Sequence, residues 1–264
     1  MKTIKNYFLI LFAFLSLTSC EGLLDSTGGN GLTIDEVVKG LKTALQLGTD
    51  TSVVVCSKTD GYNADPIIKI PLPSDASDVL SVATLVPDIK TKVDDVVLRV
   101  NRSAEDAATE AKPIFIDAIT GMSINDGWSI LNGVNPADTS KLKSGVAEFD
   151  SSAATHFLKD RTFTSLKNLF SPKINASLDK PLVKSVSTNK AWDILKTAYN
   201  TAATFLSLKK ITSSLGEFVV GKALDGLFHK VGNEEVKIRR NPFAWAMDIL
   251  ERVFAYGKSA TSSK

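Results

Sequence analysis

The sequence predicts an all-α fold, and three observations carry that prediction. Between residues 33 and 256 apolar side chains return at steps of three and four, the spacing that lines one face of a helix. Caps, glycines and prolines separate the segments so marked. The one β-branched run that could form a strand, Thr51 to Val55, has no partner strand in evidence. The expected architecture is a single domain of about seven to nine helices, spanning residues 32–256 around a kinked central helix. A cleaved signal peptide over residues 1–19 and a flexible tether over residues 20–31, starting at a lipidated Cys20, precede the domain. Residues 257–264 are expected to be a disordered tail.

The amino terminus carries the most specific signal. Lys2 and Lys5 form a basic region, and Tyr7 to Leu17 an apolar run. That run is too short to span a bilayer of about 30 Å as a helix, and it matches the core of a signal peptide. Leu17-Thr18-Ser19-Cys20 follows, and it resembles the lipobox of bacterial lipoproteins, in which the cysteine thiol accepts a diacylglyceryl group. Acyl chains at about 0.8 kcal/mol per buried CH₂ would hold such a protein at a membrane, with the domain in the bacterial envelope and facing the periplasm. Glu21 to Gly31, rich in glycine and polar residues, reads as the tether.

Thr33-Ile34-Asp35-Glu36 is a capping box, and Val37/Val38, Leu41 and Ala44/Leu45 extend a first helix to about Ser57. Three prolines make Gly61 to Pro73 an extended connection. A short helix from about Ser74 to Val86 leads to Pro87, which opens the central helix. Its stripe runs through Val93, Val96/Val97, Val100, Ala104, Ala107/Ala108, Ala111, Phe115, Ile119 and Met122, and Pro113 must kink it or restart it. Ser123 to Asp126 looks like a cap for a short helix ending at Asn132-Gly133, and Val134 to Asp150 reads as a surface excursion. Later helices are expected over Ser151–Phe170, punctuated by Pro172 and Pro181, then about Asn189–Leu208 and Glu217–Arg240. The glycines at 221, 226 and 232 point to close packing. Asn241-Pro242 caps a last helix to about Tyr256.

Several of these segments, in this order, resemble a bacterial family of unknown function, domain-of-unknown-function family forty-one ninety-seven. The matching pieces are Ala64-Asp65-Pro66 with Ile70-Pro71-Leu72-Pro73, Asn101-Arg102-Ser103-Ala104-Glu105, and Glu110-Ala111-Lys112-Pro113-Ile114-Phe115. Ile130-Leu131-Asn132-Gly133, Lys222-Ala223-Leu224-Asp225-Gly226-Leu227-Phe228 and Asn241-Pro242 continue the series to cover roughly Leu32 to Phe254. The resemblance implies an exported helical protein, often a lipoprotein, and carries over no catalytic residues. Lys141 to Phe149 stands as an insertion in that pattern.

Composition narrows the chemistry. Without residues 1–19, Lys+Arg falls from 31 to 29 against 29 Asp+Glu, and no basic run supplies a nucleic-acid footprint. Cys56 is left without a disulfide partner and reads as a small buried side chain. The familiar zinc, hydrolase, phosphate and dinucleotide motifs are missing, and His156 and His229 fall on different helices, so neither a metal nor a cofactor is called for. Arg99, Arg102 and Asp106, and likewise Glu235 and Arg239, stand at helix-surface spacings and read first as solvated ion pairs. The aromatics Phe157, Phe163, Phe170, Trp192, Tyr199, Phe205, Phe228, Phe243 and Trp245 are expected to face inward. The sharper alternative for the charges is a polar cluster of Asn101, Arg102 and Glu105, with Asn132 or Asp225, able to hold an anionic group. The reading is a non-enzymatic, lipid-anchored binding module for an envelope protein or a small amphiphile. Its rivals are a carrier with an apolar cavity and an envelope hydrolase.

Overall fold

A computed structural model describes residues 31–138 and 149–261. The expected signal peptide, Cys20, all of the tether but Gly31, and residues 139–148 and 262–264 lie outside the described residues. Among the described residues there are nine α-helices and no strand, only an isolated bridge between Val183 and Val186. They are α1 (Ile34–Cys56), α2 (Ser77–Leu85), α3 (Pro87–Ala108), α4 (Ala111–Gly121), α5 (Gly127–Leu131), α6 (Ala153–Leu178), α7 (Thr188–Leu206), α8 (Gly216–Arg240) and α9 (Asp248–Thr261). Short 3₁₀ turns at Ser74–Ala76 and Pro242–Trp245 lead into α2 and precede α9.

Four helices form an antiparallel bundle, with α4 and α8 against α1 and α6 against both of them. Side-chain contacts fix the directions. Lys42 on α1 donates to the Thr120 carbonyl at 2.8 Å, while Lys112 at the start of α4 reaches Asp50 at 2.9 Å, so α4 runs against α1. Lys167 meets Glu217 at 2.7 Å and Lys159 meets Asp225 at 2.8 Å, so α8 runs against α6. Gly48 lies on Val231, and Tyr62 beyond the end of α1 donates to the Ala223 carbonyl at 2.8 Å. The result is up-down-up-down packing. Val37, Leu41, Leu45, Phe115, Ile119, Leu158, Val220 and Leu224 fill its middle and are buried. Each such side chain contributes about 1.5–3 kcal/mol relative to exposure.

Two additions complete the molecule. At the amino-terminal end of α1, helices α5 and α9 close the bundle, with Glu36 paired to Arg252 at 2.9 Å. A Cβ on Gly40 would come within 2.7 Å of Val253, so only glycine lets α9 seat there. At the other end α3 projects beyond α1, with α2 and α7 packed along it. Among the described residues, one core cluster runs from Leu32 to Phe254.

The Thr33–Glu36 capping box forms in both directions, and α1 ends at Cys56, one residue from expectation. The central helix is divided rather than bent. It stops at Ala108 and restarts at Ala111, which places Pro113 in the first turn of α4 where a missing amide costs no helical bond.

Pro172 does not end α6, which continues to Leu178. The carbonyl that loses its donor is that of exposed Asn168, which water can serve, while the buried stripe Leu166, Phe170, Ile174 and Leu178 runs past on the opposite side. The last helix opens only after a 3₁₀ turn and left-handed Ala246, and it reaches Thr261 rather than stopping at Tyr256. Of the three α8 glycines, Gly226 alone is tightly packed, since a Cβ there would come within 2.7 Å of the Tyr62 ring. Gly221 faces open space. Phe205 and Phe243, expected inside, are 84% and 63% exposed: Phe205 stands in the last turn of α7, two residues before left-handed Ser207, and Phe243 in the 3₁₀ turn before left-handed Ala246.

Candidate functional site

The sequence-predicted cluster divides on the structure. Asn101, Arg102 and Glu105 share one stretch of α3, and all three engage the connection from Asp60 to Ile70. Glu105 is buried and accepts from the Tyr62 and Asn63 amides, each at 3.1 Å, and from Arg102 at 2.6 Å. Arg102 also donates to Asp60 at 2.8 Å. Asn101 bonds both backbone groups of Ile70 at 2.9 Å, as a neighbouring strand would, and donates to the Val97 carbonyl at 2.8 Å. Hydrogen bonds from Asn63 and Arg102 hold the Asp60 carboxyl below its ordinary range. Those polar groups are therefore engaged by the chain itself, and they clamp a loop that three prolines keep from pairing with itself.

Asn132 and Asp225 are not part of that cluster. Asn132 terminates α5 at the opposite end of the bundle, and Asp225 pairs with Lys159 across the surface of α6 and α8. Behind the clamp Cys56 is fully buried, and burial pushes its thiol up to about 11, against the reactive range. The same burial raises its neighbour Tyr62 well above the ordinary phenol value.

Glu235 and Arg239, whose helix spacing predicts a solvated pair, instead form a second, buried clamp. Glu235 is 1% exposed and accepts from the amides of Ala154 and Thr155 at 3.0 and 2.7 Å, and from the Thr155 hydroxyl at 2.7 Å. It thereby caps the positive end of α6. Arg239 bonds Glu235 at 2.8 Å and donates to the carbonyls of Leu131 and Ile130 at 2.7 and 2.9 Å, capping α5. Arg99 is likewise buried, held by Asp95 at 2.7 Å and by the carbonyls of Val183 and Val186. The misreading has one cause: helix spacing shows which charges are neighbours, and nothing in it shows which distant chain end folds over them.

His156 contacts Asp150 at 2.6 Å and His229 contacts Asn233 at 3.1 Å. Among the described residues, no group of three or more His, Cys, Asp or Glu side chains could hold a metal.

Unlike the clamps, the groove between α4 and α6 is open to a ligand. Its volume is about 660 Å³, within the range of small-molecule sites. Ile114, Ala118, Met122, Leu166 and Leu169 give it an apolar floor, and Asp117, Arg161 and Ser165 stand on its rim. Leu169 is 59% exposed there, and a Cβ on Gly121 would meet nothing within 4 Å. Neither Asp117 nor Arg161 forms an ion pair among the described residues; Arg161 lies 5.4 Å over the Phe157 ring. The stripes that make the floor are legible in the sequence, but not the gap between them. No helix among the described residues is long and apolar enough to cross a membrane.

The family model described as "Protein of unknown function (DUF4197)" matches residues 31–149 and 144–255. No curated protein and no solved structure matches the chain.

Proposed function

We propose that this chain, which belongs to the DUF4197 family, is a lipid-anchored binding protein of the bacterial envelope whose α4–α6 groove takes a small amphiphile. The groove carries the reading. An apolar floor receives an acyl-like segment, while Arg161 and Asp117 on the rim offer both signs of charge to a polar end. Burying the exposed face of Leu169 supplies part of the drive. The anchor rests on the Leu17-Thr18-Ser19-Cys20 pattern, and a tether over residues 20–31 spans at most about 40 Å.

Two measurements test the two halves separately. Metabolic labelling with a fatty acid should mark the wild-type chain and leave Cys20→Ser unmarked; an unlabelled wild type removes the anchor. Native mass spectrometry of the purified protein should show a bound amphiphile, which Ala118→Trp, by filling the groove, displaces without changing the helical circular dichroism. A wild type that carries no amphiphile and takes up no fluorescent fatty acid removes the groove reading.

A further inference from the structure

The second feature that faces water with apolar side chains is the tip of the α2–α3–α7 lobe. Ser103 on α3 meets Thr188 at the start of α7 at 2.8 Å, and Arg99 donates to the Val186 carbonyl at 2.6 Å. Tyr199, further along α7, lies near Asp78 of α2, whose charge helps raise its phenol after burial itself. So α7 runs back along α3 toward its start. At 1.5 Å per residue, Thr188 to Leu206 climbs roughly 27 Å and Ser103 back to Pro87 roughly 24 Å, which brings both helix ends to one level.

At that level the chain reverses twice. The α2–α3 junction exposes Leu85 (73%) and Val86. The α7 end turns through left-handed Ser207 and exposes Phe205 (84%), Leu206 and Leu208. Lys209 and Lys210 follow as the chain turns back along α7, where Tyr199 donates to the Lys209 carbonyl at 2.9 Å. They therefore stand set back from the apex, about where headgroups lie when the apex is inserted. Both are exposed, and neither has an ion-pair partner among the described residues. The nearby Lys90 and Lys92 are neutralised by Asp94 and Asp88 on their own helix.

We infer that this tip is a membrane-contact surface that inserts Phe205, Leu85 and Leu206 into the interface of a bilayer containing anionic lipid, with Lys209 and Lys210 on the headgroups. An aromatic side chain and aliphatic neighbours at an apex, with unpaired cations set back behind it, suit a surface that is apolar within and negative at its headgroups. A second copy of the chain would instead bring the two lysine pairs toward each other, which like charge opposes. The inference does not rest on the groove, nor on lipidation.

The test uses residues 21–264, which keep the whole core cluster and lack both the apolar leader and the acyl acceptor. Flotation with phosphatidylethanolamine–phosphatidylglycerol vesicles should carry the protein upward, and phosphatidylethanolamine–phosphatidylcholine vesicles should carry about tenfold less. Phe205→Asp with Leu85→Asp should abolish flotation. Lys209→Glu with Lys210→Glu should lower it about tenfold and remove its salt dependence. Ile67→Asp, which alters an equally exposed apolar residue away from the tip, should change nothing. Each variant alters only exposed side chains, and circular dichroism verifies its fold. Absence of flotation by the wild type overturns the inference, as does flotation indifferent to the tip substitutions. So does a dimer formed without vesicles and dissolved by Phe205→Asp.

Discussion

The two carboxylate clamps sit at opposite ends of the bundle and hold different things. Glu235, with Arg239, joins the beginning of α6 to the end of α5 and lies entirely under other helices. Glu105, with Arg102, holds an irregular connection, and its arginine remains 21% exposed. Where both partners are withdrawn from water, each depends on the other. Where one partner keeps contact with water, it tolerates the loss of its mate.

Breaking the first clamp should have the largest effect. Glu235→Ala leaves the Arg239 charge buried without its partner and should lower stability by about 3–5 kcal/mol in urea unfolding. Adding Arg239→Met should bring the total cost at least about 2 kcal/mol below the sum of the two single changes. Strict additivity would mean that the pair is not coupled.

Glu105→Ala should cost less, about 2–3 kcal/mol, because Arg102 retains Asp60 while two amides lose their acceptor. Its signature is local: hydrogen exchange should quicken at Tyr62 and Asn63, and the Cys56 thiol should become reachable by a thiol reagent in the folded state. Glu235→Ala, at equal fraction folded, should leave Cys56 shielded.

Cys56 also gives the Glu105 end a pH signature. The thiol pKa is about 11 when folded against 9.0 for the unfolded reference, so the folded state keeps a proton that the unfolded chain gives up. Stability from this group is complete below about pH 9 and falls as pH rises toward 11, by about 2 kcal/mol. Cys56→Ala should flatten that part of the profile in alkaline unfolding measurements. The smallest change is expected from Asp225→Asn, where an exposed pair with Lys159 is lost and stability should shift by less than about 0.5 kcal/mol.

These contrasts also mark what the sequence could show. Local features were legible: the Thr33–Glu36 box, the stop at Asn132-Gly133 with Gly133 left-handed, and the stripes of α1, α3 and α8 all follow from neighbouring residues. Asn101, Arg102 and Glu105 could be picked out as one group because they lie on adjacent turns of α3. Long-range consequences were not legible. The span from Val183 to Val186 returns over Arg99, and the start of α6 arrives at Glu235, through contacts about 80 residues apart. The effect of Pro172 is set the same way, since its cost depends on whether Asn168 ends up in water. Asn132 and Asp225 share with Arg102 only their chemistry, and the fold places them elsewhere.

One flank of α1, the first helix among the described residues, is covered by the last two. Val253 of α9 rests on Gly40, and Val231 of α8 on Gly48. A polypeptide emerging amino terminus first therefore carries the flank of α1 around Gly40 and Gly48 uncovered until almost the whole sequence has been made, although α4 and α5 can cover its other side earlier. The last seal on α1 is thus set by residues near the far end of the sequence, so the fold closes only when both extremities of the domain are present.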